Sequence, residues 1–427
     1  MATVAAVESD FSFRKMKIAG VCLFGQLFGT SMLLVGPLSM LMLPMTQQFG
    51  WSRSQFSGAT TAIMWSGALS SYLVGRLIDR LGVRPVILTG TILLGLISLI
   101  LSRQTANLWL FYSLYLLAGV SGATMVGYGK ILGPLFTQHR GIAMSGTWAV
   151  SSLLSSAFPQ ISNQLLIRFG WPGIFAGYGI VILATGVLLY FFMEEPANSR
   201  VAPMPMNSAA AAPPKMVGMT LAEALRGKTL WIMIGSGLIA GLAGAGWYQH
   251  SFAFQLSRGF SQQTAVNAMT IPLWFAWIGV VLSGWLADKV QTAKIYIPFA
   301  LMAALSVFLQ SILWANHGGI PLLYTSVMLS SMAINIQMPM NNYFYTRFFG
   351  MKAFGEIAGL NMAVLSLTGG LSAPLIGLLY DRSGSYNLAL TFMIGAFVAA
   401  GLLYLAIGHY RYTTDFKVIP EPAKRGR

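Results

Sequence analysis

Apolar residues run along this chain in long blocks, broken by short polar joints rich in charge, glycine and proline. A membrane-spanning helix needs about 20 mostly apolar residues. On that rule spans fall at 18–43, 54–78, 85–102, 107–135, 140–166 and 173–193, and again at 229–256, 264–288, 293–315, 319–347, 355–379 and 387–408. The pattern predicts an all-α membrane protein with twelve transmembrane helices in two six-helix halves, 1–193 and 229–410, and a tail over 411–427. Between the halves, 194–228 holds Ala202-Pro203-Met204-Pro205 and the Ala209–Pro214 tract, which read as a flexible or partly extended linker. Leu221–Arg226 reads either as a short amphipathic helix at the membrane surface or as an ordinary helix end.

Composition changes the picture only by excluding alternatives. With 56% hydrophobic and 9% charged residues and a mean hydropathy of +0.67, the chain has far more apolar surface than a soluble fold can hide. A net charge of +15 raises nucleic acid as a partner, but no basic helix or aromatic-interleaved patch is present. Of the 26 Lys and Arg, 20 fall in the termini and the joints on their side, five (Arg53, Arg103, Arg168, Arg258, Arg382) on the other, and Lys130 within a span. That asymmetry predicts cytoplasmic termini, and the expected location is a bacterial inner membrane. Arg14, Lys15 and Lys17 precede an apolar run too long for a cleaved signal core. The single cysteine, Cys22, excludes a disulfide framework, and no nucleophile–base pair or metal-ligand cluster suggests an enzyme, a cofactor or a metal.

The two sets of spans repeat one another. Gly75 and Gly284, Asp79 and Asp288, and Gly50-Trp51-Ser52 and Gly259-Phe260-Ser261 are each 209 apart; Pro159 and Pro374 are 215 apart. Duplicated halves are common in transporters, where substrate sits at the interface of the repeats.

Polar residues inside the spans are the candidates for chemistry. Apart from residues in the first or last positions of a span, Lys130 is the lone Lys or Arg within one, and an intramembrane cation is functional by default, although its stem could snorkel to water. His250 follows Trp247, Tyr248 and Gln249 and could bind substrate or carry a proton, or be satisfied by a neighbouring hydroxyl or carbonyl. The tenth span is unusually polar: Asn335 and Asn342 share one helical face, Gln337 and Asn341 another. Gln26 and Thr30 form a similar edge on the first span, and Tyr128 neighbours Lys130. Trp65, Trp148, Trp274 and Trp277 could add an aromatic wall, with bundle packing the commoner role.

The joint Gly75-Arg76-Leu77-Ile78-Asp79-Arg80-Leu81-Gly82-Val83-Arg84-Pro85, with its echo Gly284–Lys289, resembles the signature loop of the major facilitator superfamily. Phe49–Gln55, Arg140-Gly141-Ile142-Ala143, Arg347-Phe348-Phe349-Gly350 and Pro374-Leu375-Ile376-Gly377 with Asp381–Tyr386 look like its monocarboxylate-porter and oxalate–formate branch. The resemblance implies that Asp79, with Arg80 and Arg84, is a latch facing the segment near Ala353–Glu356, and that Asp288 plays a weaker pseudosymmetric part near Arg140. It also implies that spans one, four, seven and ten line the cavity, which assigns substrate binding to Gln26, Thr30, Tyr128, Lys130, His250, Asn335, Gln337 and Asn341. The branch's usual arginine in the eighth span is missing: no Lys or Arg stands there before Lys289. The expected function is secondary transport of a small organic anion, a monocarboxylate with aromatic acids included, coupled to a co-transported or exchanged proton. A carrier of neutral amphipathic compounds and a non-transporting membrane sensor are the alternatives.

Overall fold

The structure, a computed structural model, describes residues 12–28, 31–135, 150–151, 153–193, 217–316 and 319–413. Its named elements among these residues are helices, joined by an antiparallel bridge between Gly218 and Gly350. The chain divides into two compact units, Met1–Trp51 with Gly58–Pro205, and Ser52–Ser57 with Met206–Arg427.

The first unit contains α1 (Phe13–Leu27), α2 (Leu38–Phe49), α3 (Arg53–Leu81, its first turn belonging to the second unit), α4 (Val83–Leu101), α5 (Leu108–Gly122), α6 (Val126–Leu135) and α7 (Phe158–Phe192). α4 packs along α7 and α5, and the Ser98 hydroxyl donates to the Phe175 carbonyl across that seam at 2.7 Å. α7 is two helical runs meeting at Gly170, whose φ of 67° breaks the helix just before Pro172.

The second unit contains α8 (Leu221–Arg226), α9 (Lys228–Gly244), α10 (Trp247–Ser257), α11 (Gln262–Val290), α12 (Tyr296–Ser311), α13 (Gly319–Ile334), α14 (Gln337–Phe349), α15 (Phe354–Ser383) and α16 (Asn387–Leu403). α9 packs between α15 and α16, α12 against α16 and α13, and α11 against α13. One apolar core gathers Trp247, Phe254, Leu390 and Phe397; another gathers Ile336, Phe344, Tyr404 and Tyr410. The linker segment Leu221–Arg226 stands as a helix of its own, started by a capping box between Thr220 and Glu223.

Among the described residues eight helices are long and apolar enough to cross a membrane. The other predicted spans differ for local reasons. α3 is rich in serine, threonine and glycine. The spans at 18–43 and 319–347 are interrupted, the span at 140–166 lies partly outside the described residues, and the span at 229–256, one of the eight, also contains a break. Pro37 and Pro339 lack the N–H that would bond the carbonyl four residues back, so the helix gives way near Leu33 and Asn335. Around the first break the chain widens into a π turn over Ser31–Val35. In the break within 229–256, Gly246 lets α10 approach α15 closely: its amide donates to Ser372 Oγ at 2.8 Å, and a Cβ there would stand 2.2 Å from the Ala373 nitrogen.

Large apolar side chains remain exposed on the units, among them Trp109 at 78% and Leu69 at 77%, more apolar surface than a water-soluble monomer leaves uncovered. Gly246→Val should force α10 away from α15 and destabilise the protein by about 1–3 kcal/mol, the usual cost of overpacking. Thermal unfolding in detergent checks this; an unchanged midpoint would mean that α10 has room to move and that the close approach is not required.

Candidate functional site

The first turn of α3 carries a preformed N-terminus. Ser52 and Gln55 form a reciprocal cap, with the Ser52 amide donating to Gln55 Oε1 at 2.9 Å and the Gln55 amide to Ser52 Oγ at 3.2 Å. The donors left over meet Asp381 of α15: the amides of Arg53 and Ser54 donate to its two carboxylate oxygens at 3.1 and 3.0 Å, and Ser54 Oγ donates at 2.6 Å. Unpaired amides and the helix dipole both favour a carboxylate there. Gly377, one turn before Asp381, admits this turn of α3, since a Cβ at Gly377 would lie 2.7 Å from the Ser54 nitrogen.

His250 of α10 lies beneath this contact, fully buried. Its Nε2 faces the Ala373 carbonyl at 2.9 Å and Ser57 Oγ at 3.3 Å, and its Nδ1 faces the Tyr386 hydroxyl at 3.3 Å. A carbonyl only accepts, so Nε2 carries the hydrogen, and Nδ1 accepts from Tyr386. The Tyr386 hydroxyl in turn accepts from the Arg53 guanidinium, which sits 3.5 Å over the Tyr380 ring and 4.9 Å over that of Tyr386. Burial pushes the Tyr386 phenol well above its ordinary pKa, against the pull of Arg53, so it stays a hydroxyl. The result is a directed chain from Arg53 through Tyr386 and His250 to the α15 backbone.

In the first unit the Lys130 ammonium of α6 pairs with the Asp79 carboxylate at the end of α3. The pair is open to solvent, its side chains 40% and 62% exposed. Arg84 donates to the Tyr190 carbonyl and stands 5.4 Å over its ring, bracing the start of α4 against the end of α7, while Arg80 is exposed. Tyr128 is buried on α1 at Gly25, where a Cβ would meet its hydroxyl, and the adjacent Gln26 is buried with Oε1 lacking a partner among the described residues.

The polar tenth span does not converge on His250. Asn335 is exposed and its Nδ2 donates back to the Ser331 carbonyl at 2.9 Å, a carbonyl that its own backbone amide also meets at 3.4 Å. Asn341 is buried and accepts from the Tyr404 hydroxyl at 3.4 Å, in the other core of the second unit. Gln337 opens α14 and Asp288 lies in the last turns of α11. Thr30, Arg140 and Trp148 lie outside the described residues. Trp274 and Trp277 are half-exposed or more on α11, and Trp65 is partly buried.

The sequence pattern does not single out Arg53, Ser54, Ser57, Asp381 and Tyr386 as a cluster, although two of the motifs that carry the family resemblance contain most of them. Asn361 escapes it as well; this residue is buried on α15 with Oδ1 lacking a partner among the described residues. The signal that could have found it is an isolated amide in an apolar run.

Long apolar helices, repeated joints and polar groups paired within the bundle define a multi-pass membrane carrier with twelve helices in two six-helix halves. The chain belongs to the Major Facilitator Superfamily, whose profile matches residues 19–367. It is 26% identical over 346 residues to monocarboxylate transporter 11 of Mus musculus, covering 77% of this chain and 73% of that one. It is 21% identical over 362 residues to the uncharacterized MFS-type transporter YcxA of Bacillus subtilis, covering 81% and 84%. The crystal structure of a point mutant of the nucleoside transporter NupG shares the fold with a TM-score of 0.73 at 11% identity, covering 92% of this chain and 99% of that one. The family and these relatives are transporters rather than enzymes.

Asp381→Ala removes the acceptor of the α3 amides. Hydrogen bonds to a charged group contribute about 1.5–3 kcal/mol, and exposure of Asp381 points to the lower end. Amide hydrogen exchange at Arg53 and Ser54 should quicken by about tenfold. Unchanged exchange there would mean that Ser52 and Gln55 alone hold the turn.

Proposed function

We propose that this protein is a secondary carrier of a small organic anion, a monocarboxylate with aromatic acids included, working by alternating access of its two halves. The relatives named monocarboxylate transporters support the substrate class, and the basic asymmetry of the joints supports a bacterial inner-membrane location with cytoplasmic termini. The observation that carries the reading is Lys130: a cation within a span whose partner, Asp79, is held in an exposed pair. Such pairs contribute about 0–1 kcal/mol, so an incoming carboxylate could take the ammonium from Asp79 at little cost. Gln26, Thr30 and Tyr128 would complete the polar surface in the first half, with Asn335, Gln337 and Asn341 in the second. Asp79, Arg80, Arg84, Arg140 and Asp288 are assigned to gating.

The competition is testable in reconstituted vesicles. Lys130→Gln should weaken binding of a carboxylate substrate by about tenfold or more, as loss of a hydrogen bond to a charged group does. Asp79→Asn should strengthen it, because the ammonium is released. Binding of the matching amide should respond to neither. If both variants bind the acid like the wild type, Lys130 is a surface lysine and the anion reading falls. The missing cation in the eighth span would then favour a carrier of neutral amphipathic compounds.

His250 is the proposed proton-sensitive group. A proton added at Nδ1 would set two donors, imidazolium and Tyr386 hydroxyl, against each other beside Arg53, with Asp381 the nearby counter-charge. Protonation would therefore loosen Tyr386 and the first turn of α3 together. His250→Gln should flatten the pH profile of uptake. A profile of wild-type shape would move proton handling elsewhere.

A further inference from the structure

The end of α10 holds a charge that the spans do not account for. Arg258 follows the helix, is only 7% exposed, and has no carboxylate partner among the described residues. Its Nη2 donates to Asn387 Oδ1 at 2.7 Å and to the Ser311 carbonyl at 3.4 Å. The guanidinium stands 4.6 Å over the Trp314 ring and 5.3 Å over that of Phe254. These contacts lower the cost of desolvation but leave the charge uncancelled, and a buried cation without an anion is expensive. Burial accordingly pulls the pKa of the guanidinium down from its ordinary value.

The repeat shows that the fold does not require this charge. Gly259 aligns with Gly50, both with positive φ (84° and 70°), and each is followed by a buried aromatic residue and a serine that starts the next helix. The residue 209 positions before Arg258 is Phe49, which packs on Trp51 at 4.8 Å and Trp171 at 5.6 Å. One copy of the turn is completed with an aromatic side chain alone; the other places a buried cation at the same position. Beside that cation lies an open cleft of about 410 Å³, lined by Arg258, Ser257, Gly259, Trp314, Ala315 and Asn316. Small-molecule sites fall in this size range, with apolar walls and a few polar groups that fix orientation.

We propose that this cleft is a second ligand site, which takes a small organic monoanion with a flat apolar body. The carboxylate meets Arg258 and Asn316, and the body lies against Trp314. The site shares no residue with those assigned to transport, although Phe254 beneath Arg258 packs on Tyr386, and it does not depend on their assignment.

The experiment uses the full chain in nanodiscs of phosphatidylcholine, with benzoate and benzamide as probes and tryptophan fluorescence as the readout. Benzoate should quench a component that Trp314→Phe removes, and benzamide should not. Arg258→Gln should weaken benzoate binding at this site by about tenfold or more. Because Arg258 also joins Asn387 and Ser311, Arg258→Gln could fail to fold; Asn316→Trp leaves those bonds intact, fills the cleft, and should abolish the signal. Lys130→Gln should leave it unchanged, which separates this site from the transport reading. Equal quenching by benzamide, or benzoate binding that survives Asn316→Trp, would overturn the proposal. So would displacement of benzoate by added phosphatidylglycerol, which would assign the cleft to a lipid phosphate instead.

Discussion

Hydrocarbon offers no hydrogen bonds, so a polar group that the chain carries into its apolar core costs free energy unless it finds a partner in the protein. That constraint explains where the structure departs from simple rods. Trp247 donates its indole N–H to Gln310 at 2.9 Å, Ser236 its hydroxyl to the Ala400 carbonyl at 2.9 Å, and His250 bridges a carbonyl and a phenol. Each ties one helix of the second unit to another, so polar satisfaction and tertiary packing are the same contacts there. The helix interruptions obey the same rule. At the α9–α10 break the amide freed at Gly246 is taken by Ser372.

The helical blocks, their number and the repeat are legible in the sequence because they rest on composition over long windows, which tertiary context cannot reverse. The breaks are less legible, although their chemistry is in view. Pro37 and Pro339 remove one donor each, and a window of about 20 residues averages that away. The capping box at Ser52 and Gln55 can also be read locally, as a serine followed three residues later by glutamine.

Local pattern does not reveal which residue of one joint meets which residue of another. Asp381 lies more than 300 positions from Ser54, and nothing near either announces that its carboxylate caps α3. Lys130 and Asp79 each stand out as the charge of consequence in their own stretch, yet neither stretch names the other as partner. Helical periodicity fixes the face on which a residue stands, and pairing then depends on helix tilt and on small residues such as Gly377 that set how near two backbones come. Asn335 illustrates the limit. Periodicity puts it on a polar face suited to a cavity, but its side-chain amide turns back to the Ser331 carbonyl one turn earlier.

The buried and semi-buried cations differ in how they are accommodated, and the difference has consequences for what they can do. A carboxylate neutralises a cation; an aromatic face lowers its desolvation cost while leaving its field in place. Lys130 has the first kind of partner, in an exposed pair that is weak enough to exchange. Arg258 has the second kind, with neutral acceptors and the rings of Trp314 and Phe254. Arg53 also has the second kind: its guanidinium rests on Tyr380 and Tyr386, and it is its backbone amide that meets Asp381. An anion approaching the Arg258 end of the second unit therefore meets a charge that is held in position but not cancelled. An anion approaching Lys130 must instead compete with Asp79 for the ammonium.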